Sequence, residues 1–207
     1  MPDRTKTGGY AEIVLFSIAV VWGLNTPVVK IGLLEMSPVA YNALRLALGS
    51  LVAAAALLLS RTWRPMPWRD VRAIVVLGLA FGVNQIFFVY GISLTTAGNA
   101  ALVLSTLPVV VVLLGRLLYG ETVARRTAAG IAFTLAGIFL IVAGSDQEIS
   151  LSGPHIAGAI LILASQFCYA YYTIYIKRLV FAYSIYQIVA WVLAQSAVLF
   201  ALAAFPG

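Results

Sequence analysis

The 207 residues are 62% hydrophobic and 10% charged, with a mean hydropathy of +1.01, where soluble domains carry about 25% charged residues. This excludes a water-soluble fold, and the net charge of +6 reads as the basic bias of membrane-protein loops, with no nucleic-acid partner. One cysteine, Cys168, and one histidine, His155, exclude an internal disulfide and a cysteine- or histidine-rich metal site, and no metal or cofactor is expected.

Seven apolar stretches are expected to cross a bilayer as helices, over 11–34, 38–60, 71–92, 97–118, 126–144, 155–176 and 183–204. About 20 apolar residues span the roughly 30 Å hydrocarbon core, and these stretches lack the alternation of barrel strands. The first has no signal-peptidase pattern after it and reads as a retained helix. Trp22 and Asn25 lie three apart on one of its faces. Pro27 removes a backbone donor and is expected to kink it, and Lys30 lies near its end. Glu12 is its only acid and sits close to the other end. No central proton-coupling carboxylate is therefore readable, which favours exchange, uniport or coupling through a segment outside this chain.

The second span opens at Ser37-Pro38 and holds Arg45 about two turns in. A central arginine costs about 2.5–3.5 kcal/mol to insert, so it should face a wet cavity, a partner or a substrate. Snorkelling to the outer interface and pairing with Glu35 are the structural alternatives. The third span carries Gly78 and Gly82 at close-packing spacing, then Asn84 and Gln85, of which one at most is expected to point well inside, then Tyr90. Pro108 is a second expected kink, in span four. Span six is aromatic, with Tyr171 and Tyr175 on one face, and Trp191 and Gln195 pair likewise in span seven. Interfacial belts explain part of this stripe; an aromatic-lined cavity for amphipathic metabolites would explain the rest.

Eleven of the thirteen basic residues fall in the N-terminal segment and alternate loops, all on one side; only Lys30 and Arg45 do not. The positive-inside rule places that side, with the N-terminus, in the cytoplasm, and the loop with Asp146 and Glu148 outside. Trp22–Lys30 has a partial counterpart in Tyr169–Lys177, 147 residues later, an offset that also carries Ser37 onto Ser184. Five spans fit inside that offset, so a second copy must insert upside down, as in inverted-repeat transporters. The expected organisation is a five-helix repeat over 1–146 and the first two helices of an inverted second repeat over 147–207. A full second repeat would add three spans and end near about residue 290.

These motifs resemble the ten-helix EamA-type exporters of the drug/metabolite transporter superfamily. The resemblance is carried by Trp22-Gly23, Asn25, Pro27 and Lys30; by Ser37-Pro38 and Arg45; by Tyr90-Gly91-Ile92-Ser93-Leu94, Ala97, Asn99-Ala100-Ala101 and Pro108; and by Glu121, Gly130 and Gly137-Ile138. The second repeat departs from the pattern: Tyr169 stands where the family usually has tryptophan, and Val192 and Ile185 stand opposite Arg45 and Pro38.

The expected fold is an all-α membrane protein of about seven transmembrane helices in a bacterial inner membrane, not an enzyme. The resemblance implies export of small amphipathic metabolites such as amino acids by alternating access. The alternatives are a truncated, non-transporting fragment, completed by missing helices or self-association, and a seven-helix receptor-like protein. Against the receptor stand the inward N-terminus and a seventh span without the lysine of a retinal pigment. The candidate cavity residues are Trp22, Asn25, Lys30, Arg45, Asn84, Tyr90, Tyr171, Tyr175, Trp191 and Gln195.

Overall fold

Short caps separate long apolar runs in this chain, and each cap is met in the structure by a helix end. The computed structural model describes residues 4–120, 122–143 and 153–204; Glu121, Asp146 and Glu148 lie outside them. Among the described residues eight helices follow in order: α1 (Arg4–Glu35), α2 (Pro38–Ser60), α3 (Trp68–Leu94), α4 (Ala97–Leu104), α5 (Leu107–Tyr119), α6 (Arg125–Ala143), α7 (Gly153–Ala182) and α8 (Ile185–Ala204). Ser37 caps α2, its hydroxyl accepting from the Ala40 N–H at 3.3 Å, with Pro38 in the first turn, where a missing N–H is harmless. Thr96 caps α4 in the same way. Gly120 ends α5 at φ 66°, a left-handed conformation that glycine adopts without strain.

Among the described residues, six helical stretches are long and apolar enough to cross a membrane: Glu12–Glu35, Pro38–Ser60, Trp68–Leu94, Ala97–Tyr119, Gly153–Ala182 and Ile185–Ala203. The α6 helix has 19 residues and occupies the position of the predicted fifth span. The predicted fourth span is two helices, α4 and α5, broken at Ser105-Thr106 just before Pro108. Pro27, by contrast, lies inside the continuous α1. The predicted sixth span is longer than expected, because α7 carries Lys177 and Arg178 on to Ala182.

Helix α3 is central. It packs against α7 and α8 and touches α2, α1 and α4, while α2 rests on α8 and α7 also meets α4 and α5. α3 and α7 come close at Gly91 and Gly158. A Cβ on Gly158 would stand 2.8 Å from the Gly91 carbonyl oxygen, and one on Gly91 would stand 2.9 Å from the Gly158 carbonyl oxygen. The two backbones therefore lie close together, with the Ile162 and Thr95 side chains packed beside them, the role small residues have in membrane bundles, where apolar burial alone gives no drive to associate. Gly78 and Gly82 face Gln195 and Leu199 of α8, so this pair packs within the chain.

Two apolar clusters stack along the bundle. One gathers Val29, Val89, Ile92, Ala100 and Ile162. The other gathers Ile74, Leu77, Leu179, Ile188 and Val192. Hydrogen bonds define which ends meet. At one end His155 Nδ1 donates to the Leu94 carbonyl (3.0 Å) and Lys30 Nζ to the Thr95 carbonyl (2.5 Å). At the other, arginine-rich end Gln187 bonds the backbone of Arg64 in both directions, at 3.0 and 2.6 Å. There Thr62 also donates to Ser184 (2.8 Å) and Tyr183 to Asp70 (2.6 Å). The bond to Asp70 holds the Tyr183 phenol proton and raises its pKa above the usual tyrosine value. Thus α1 ends where α7 begins, and α2 ends where α8 begins.

Gly158→Ala should destabilise the protein by about 1–3 kcal/mol, the usual range for overpacking. Gly130→Ala, with nothing within 4 Å of the new Cβ, should be neutral or stabilising by up to about 1 kcal/mol. Thermal unfolding in detergent compares the two; equal stabilities would contradict the close crossing.

Candidate functional site

Between the two apolar clusters lies a polar layer. Its members come from four helices: Asn25 of α1, Asn42 and Arg45 of α2, Asn84 and Gln85 of α3, and Ser165 of α7. Arg45 is seven residues into α2, and Gln85 is nine residues from the end of α3, so both lie about 10–14 Å inside their helices at 1.5 Å per residue. No water is available at that depth in hydrocarbon, so each polar group must find a partner in the bundle or in a wet cavity.

Arg45 is the centre of the layer. Its two terminal nitrogens donate to Asn25 Oδ1 at 3.4 Å and to Gln85 Oε1. The guanidinium carbon lies 5.8 Å from the centroid of the Phe88 ring, within cation–π range. The chain of bonds continues. Gln85 Nε2 donates to Asn84 Oδ1 (3.2 Å), and Asn84 Nδ2 to the Ser165 carbonyl (2.8 Å). Asn42 Nδ2 donates to the Gln85 carbonyl at 3.3 Å, while its Oδ1, fully buried, has no partner among the described residues. The partners that Arg45 has are neutral, and Glu35, weighed as its counter-ion, is exposed. A cation held by neutral dipoles keeps its charge available to an anion.

Asn84 and Gln85 are both engaged, although the expectation was one inward residue at most. The reason is the central position of α3, which has α2 on one side and α7 on another, so adjacent side chains both find protein. Lys30 does something different from Arg45. Its ammonium caps the carboxyl end of α3 through the Thr95 carbonyl, where the helix dipole favours a cation. Together with buried Val29 and Asn25, this bond anchors α1, most of whose apolar surface is otherwise exposed.

The other candidates are distributed over the bundle. Trp22, 61% exposed, touches Tyr169 at 6.2 Å between ring centroids, and the ring contacts run on through Tyr172 to Phe81. Tyr171 and Tyr175 stack at 4.4 Å near the arginine-rich end, away from Arg45. Tyr90 and Trp191 are 38% and 40% exposed. Gln195 donates to the Trp191 carbonyl at 3.1 Å, a bond within α8. The structure therefore brings Asn25, Arg45 and Asn84 into one layer and leaves Tyr90, Tyr171, Tyr175, Trp191 and Gln195 outside it.

Sequence reasoning missed Asn42, Phe88, Ser165 and Gln166. Asn42 had a signal, since it precedes Arg45 by three residues on the same helical face. Gln166 was a polar residue in an apolar run; its amide donates to the Leu104 carbonyl at 2.9 Å, beside the break between α4 and α5. Ser165 contributes only its carbonyl to the layer, which no side-chain pattern reveals.

The EamA-like transporter family matches residues 9–143. The chain belongs to that family. This EamA-like chain is 32% identical over 166 residues to a probable amino-acid metabolite efflux pump of Salmonella typhimurium (strain LT2), a match covering 78% of the chain and 52% of that protein. It is also 32% identical over 167 residues to the uncharacterized inner membrane transporter YedA of Escherichia coli (strain K12), covering 80% and 52%. It spans about half the length of these curated relatives. A solved crystal structure superposes with a TM-score of 0.64 at 22% identity, covering 86% of this chain and 66% of that one, and shows a shared fold. The chain is an integral membrane member of the EamA-like transporter family.

Gln85→Leu should remove the acceptor that Arg45 relies on and destabilise the bundle by about 1–3 kcal/mol, the range for a lost bond to a charged group. Ser93→Ala, which removes only an exposed bond to the Tyr90 carbonyl, should change stability by under about 0.5 kcal/mol. Denaturant titration in micelles distinguishes them, and a neutral Gln85→Leu would show that Arg45 is held by something else.

Proposed function

We propose that this EamA-like chain exports small amphipathic metabolites of the amino-acid class by alternating access, with Arg45 receiving the substrate carboxylate. The observation that carries this reading is the polar layer: a guanidinium inside the bundle, held among the described residues by neutral partners, beside a buried acceptor unpaired among them. A zwitterion has the complementary chemistry. Its carboxylate suits the guanidinium fork, and its ammonium suits Asn42 Oδ1, one helical turn away. Apolar and aromatic walls above and below, from Phe88 and the Trp22–Tyr169–Tyr172 contacts, suit an amphipathic side chain.

The organisation follows the same proposal. Residues 1–146 form one repeat and 147–207 the start of an inverted one, a reading supported by α1 ending where α7 begins. The arginine-rich end lies in the cytoplasm by the positive-inside rule, in the inner membrane of a bacterium. The break between α4 and α5, bonded from Gln166, is a point at which one helix segment can move against another. Pro27 loosens α1 by removing a backbone donor inside the helix, and Pro108 opens α5 just after the break. The chain by itself is expected to transport weakly unless it associates with further helices or a second copy, in line with its share of the relatives' length.

Purified protein in liposomes, at protein-to-lipid ratios that span self-association, should bind or move at least one labelled amino acid from a panel that also contains amphipathic amines. Arg45→Ala should lower that signal by about ten-fold or more, the equivalent of about 1.4 kcal/mol. Lys30→Ala should lower it less, because its ammonium is committed to the Thr95 carbonyl. Binding of no amino acid, or full retention by Arg45→Ala, would overturn the reading.

A further inference from the structure

A second concave site lies at the arginine-rich end, apart from the polar layer. It is a cavity of about 340 Å³ between the start of α3 and the last third of α7. Arg69 and Arg72 reach it from α3 and Arg178 from α7, with Tyr171 and Tyr175 forming one wall. All three arginines are exposed, and among the described residues no carboxylate pairs with them. The nearest acid in sequence, Asp70, instead accepts from Tyr183 at 2.6 Å.

The positive-inside rule accounts for arginines on this side, but not for their convergence on one hollow from two helices. Arg69 lies in the first turn of α3 and Arg72 just after it, at the end of the helix that carries a partial positive charge, and the acid of that turn, Asp70, is engaged by Tyr183. An anion in the cavity would offset the mutual repulsion of these positive charges. The floor is apolar: Leu77 and Leu179 are buried core residues, and Val76 is 52% exposed. Val83, seven residues on and 37% exposed, continues the apolar stripe along α3 toward the middle of the bundle. The Tyr171 and Tyr175 rings stack at 4.4 Å, and Tyr119 of α5 extends the wall at 6.2 Å from Tyr175.

We infer that this cavity binds the phosphate group of an anionic amphiphile, specifically an anionic phospholipid of the leaflet on the arginine-rich side. The arginines take the phosphodiester, the tyrosine hydroxyls lie at headgroup level, and an acyl chain follows Val76 and Val83. Basic pockets between membrane helices on the cytoplasmic side have this chemistry. The alternative source of the same chemistry is a free phosphate or phosphorylated metabolite, which would need no apolar stripe. The inference is independent of the substrate proposed for the polar layer.

Native mass spectrometry of the purified chain in neutral detergent, titrated with phosphatidylglycerol and with phosphatidylcholine, tests it. Phosphatidylglycerol should be retained with one preferred stoichiometry, and phosphatidylcholine should not. The double variant Arg72→Gln, Arg178→Gln should weaken that retention about ten-fold or more. The double variant Arg125→Gln, Arg126→Gln removes the same charge from exposed positions at the start of α6 and should weaken it less than about two-fold. Equal losses in the two variants would mean diffuse attraction and overturn the site. Displacement of the lipid by millimolar inorganic phosphate would overturn the lipid assignment in favour of a free anion.

Discussion

A guanidinium placed inside an apolar bundle needs partners, and the arrangement of this protein follows from how that need is met. Arg45 reaches Asn25 on α1 and Gln85 on α3, and Gln85 passes the bonding on to Asn84 and α7. Four helices are thereby tied at one depth by groups that hydrocarbon cannot satisfy. Above and below, apolar clusters and the glycine crossing of α3 with α7 complete the packing. Packing in a membrane comes without a hydrophobic drive between helices, so the polar layer and the close glycine contact set which helices meet.

The two intramembrane cations have divided roles. Lys30 sits at a helix end and neutralises a carboxyl terminus, which is a structural use of charge. Arg45 sits among neutral amides and one aromatic face, which is a poised use of charge. The two ends of the bundle also differ. At one, α1 is anchored by a few contacts and leaves most of its surface exposed. At the other, Gln187, Thr62 and Asp70 clasp the loops between α2 and α3 and between α7 and α8. The clasp joins the arginine-rich ends of α2, α3, α7 and α8.

Much of the fold was legible because membrane spans advertise themselves by length and apolarity. The start of α2 was readable to the residue, since Ser37-Pro38 is a strong cap, and α6 within one residue of its described ends. The extension of α7 to Ala182 was not, because Lys177 and Arg178 look like a loop while their long stems let them stay helical at the interface. The break at Ser105-Thr106 was hinted at by Pro108, but its place two residues earlier depends on how α4 meets α7. At the site, Arg45 stood out because its cost in hydrocarbon is large. Its partners did not, because choosing Gln85 and Asn25 over Glu35 requires knowing that α3 lies in the middle. The tyrosines of span six looked like one stripe; the structure divides them between ring contacts with Trp22 and the arginine-lined cavity.

The central claim is that Arg45 faces a wet, substrate-reachable space and not lipid. Reactivity of an introduced thiol reads this directly. In a Cys168→Ser background, Arg45→Cys should react with a charged, membrane-impermeant thiol reagent in liposomes, and a bound amino acid should slow the reaction. Leu48→Cys, one turn along the same helix at a position 55% exposed on the bundle surface, should stay unreactive because it faces hydrocarbon. Equal inertness of Arg45→Cys and Leu48→Cys would contradict the account.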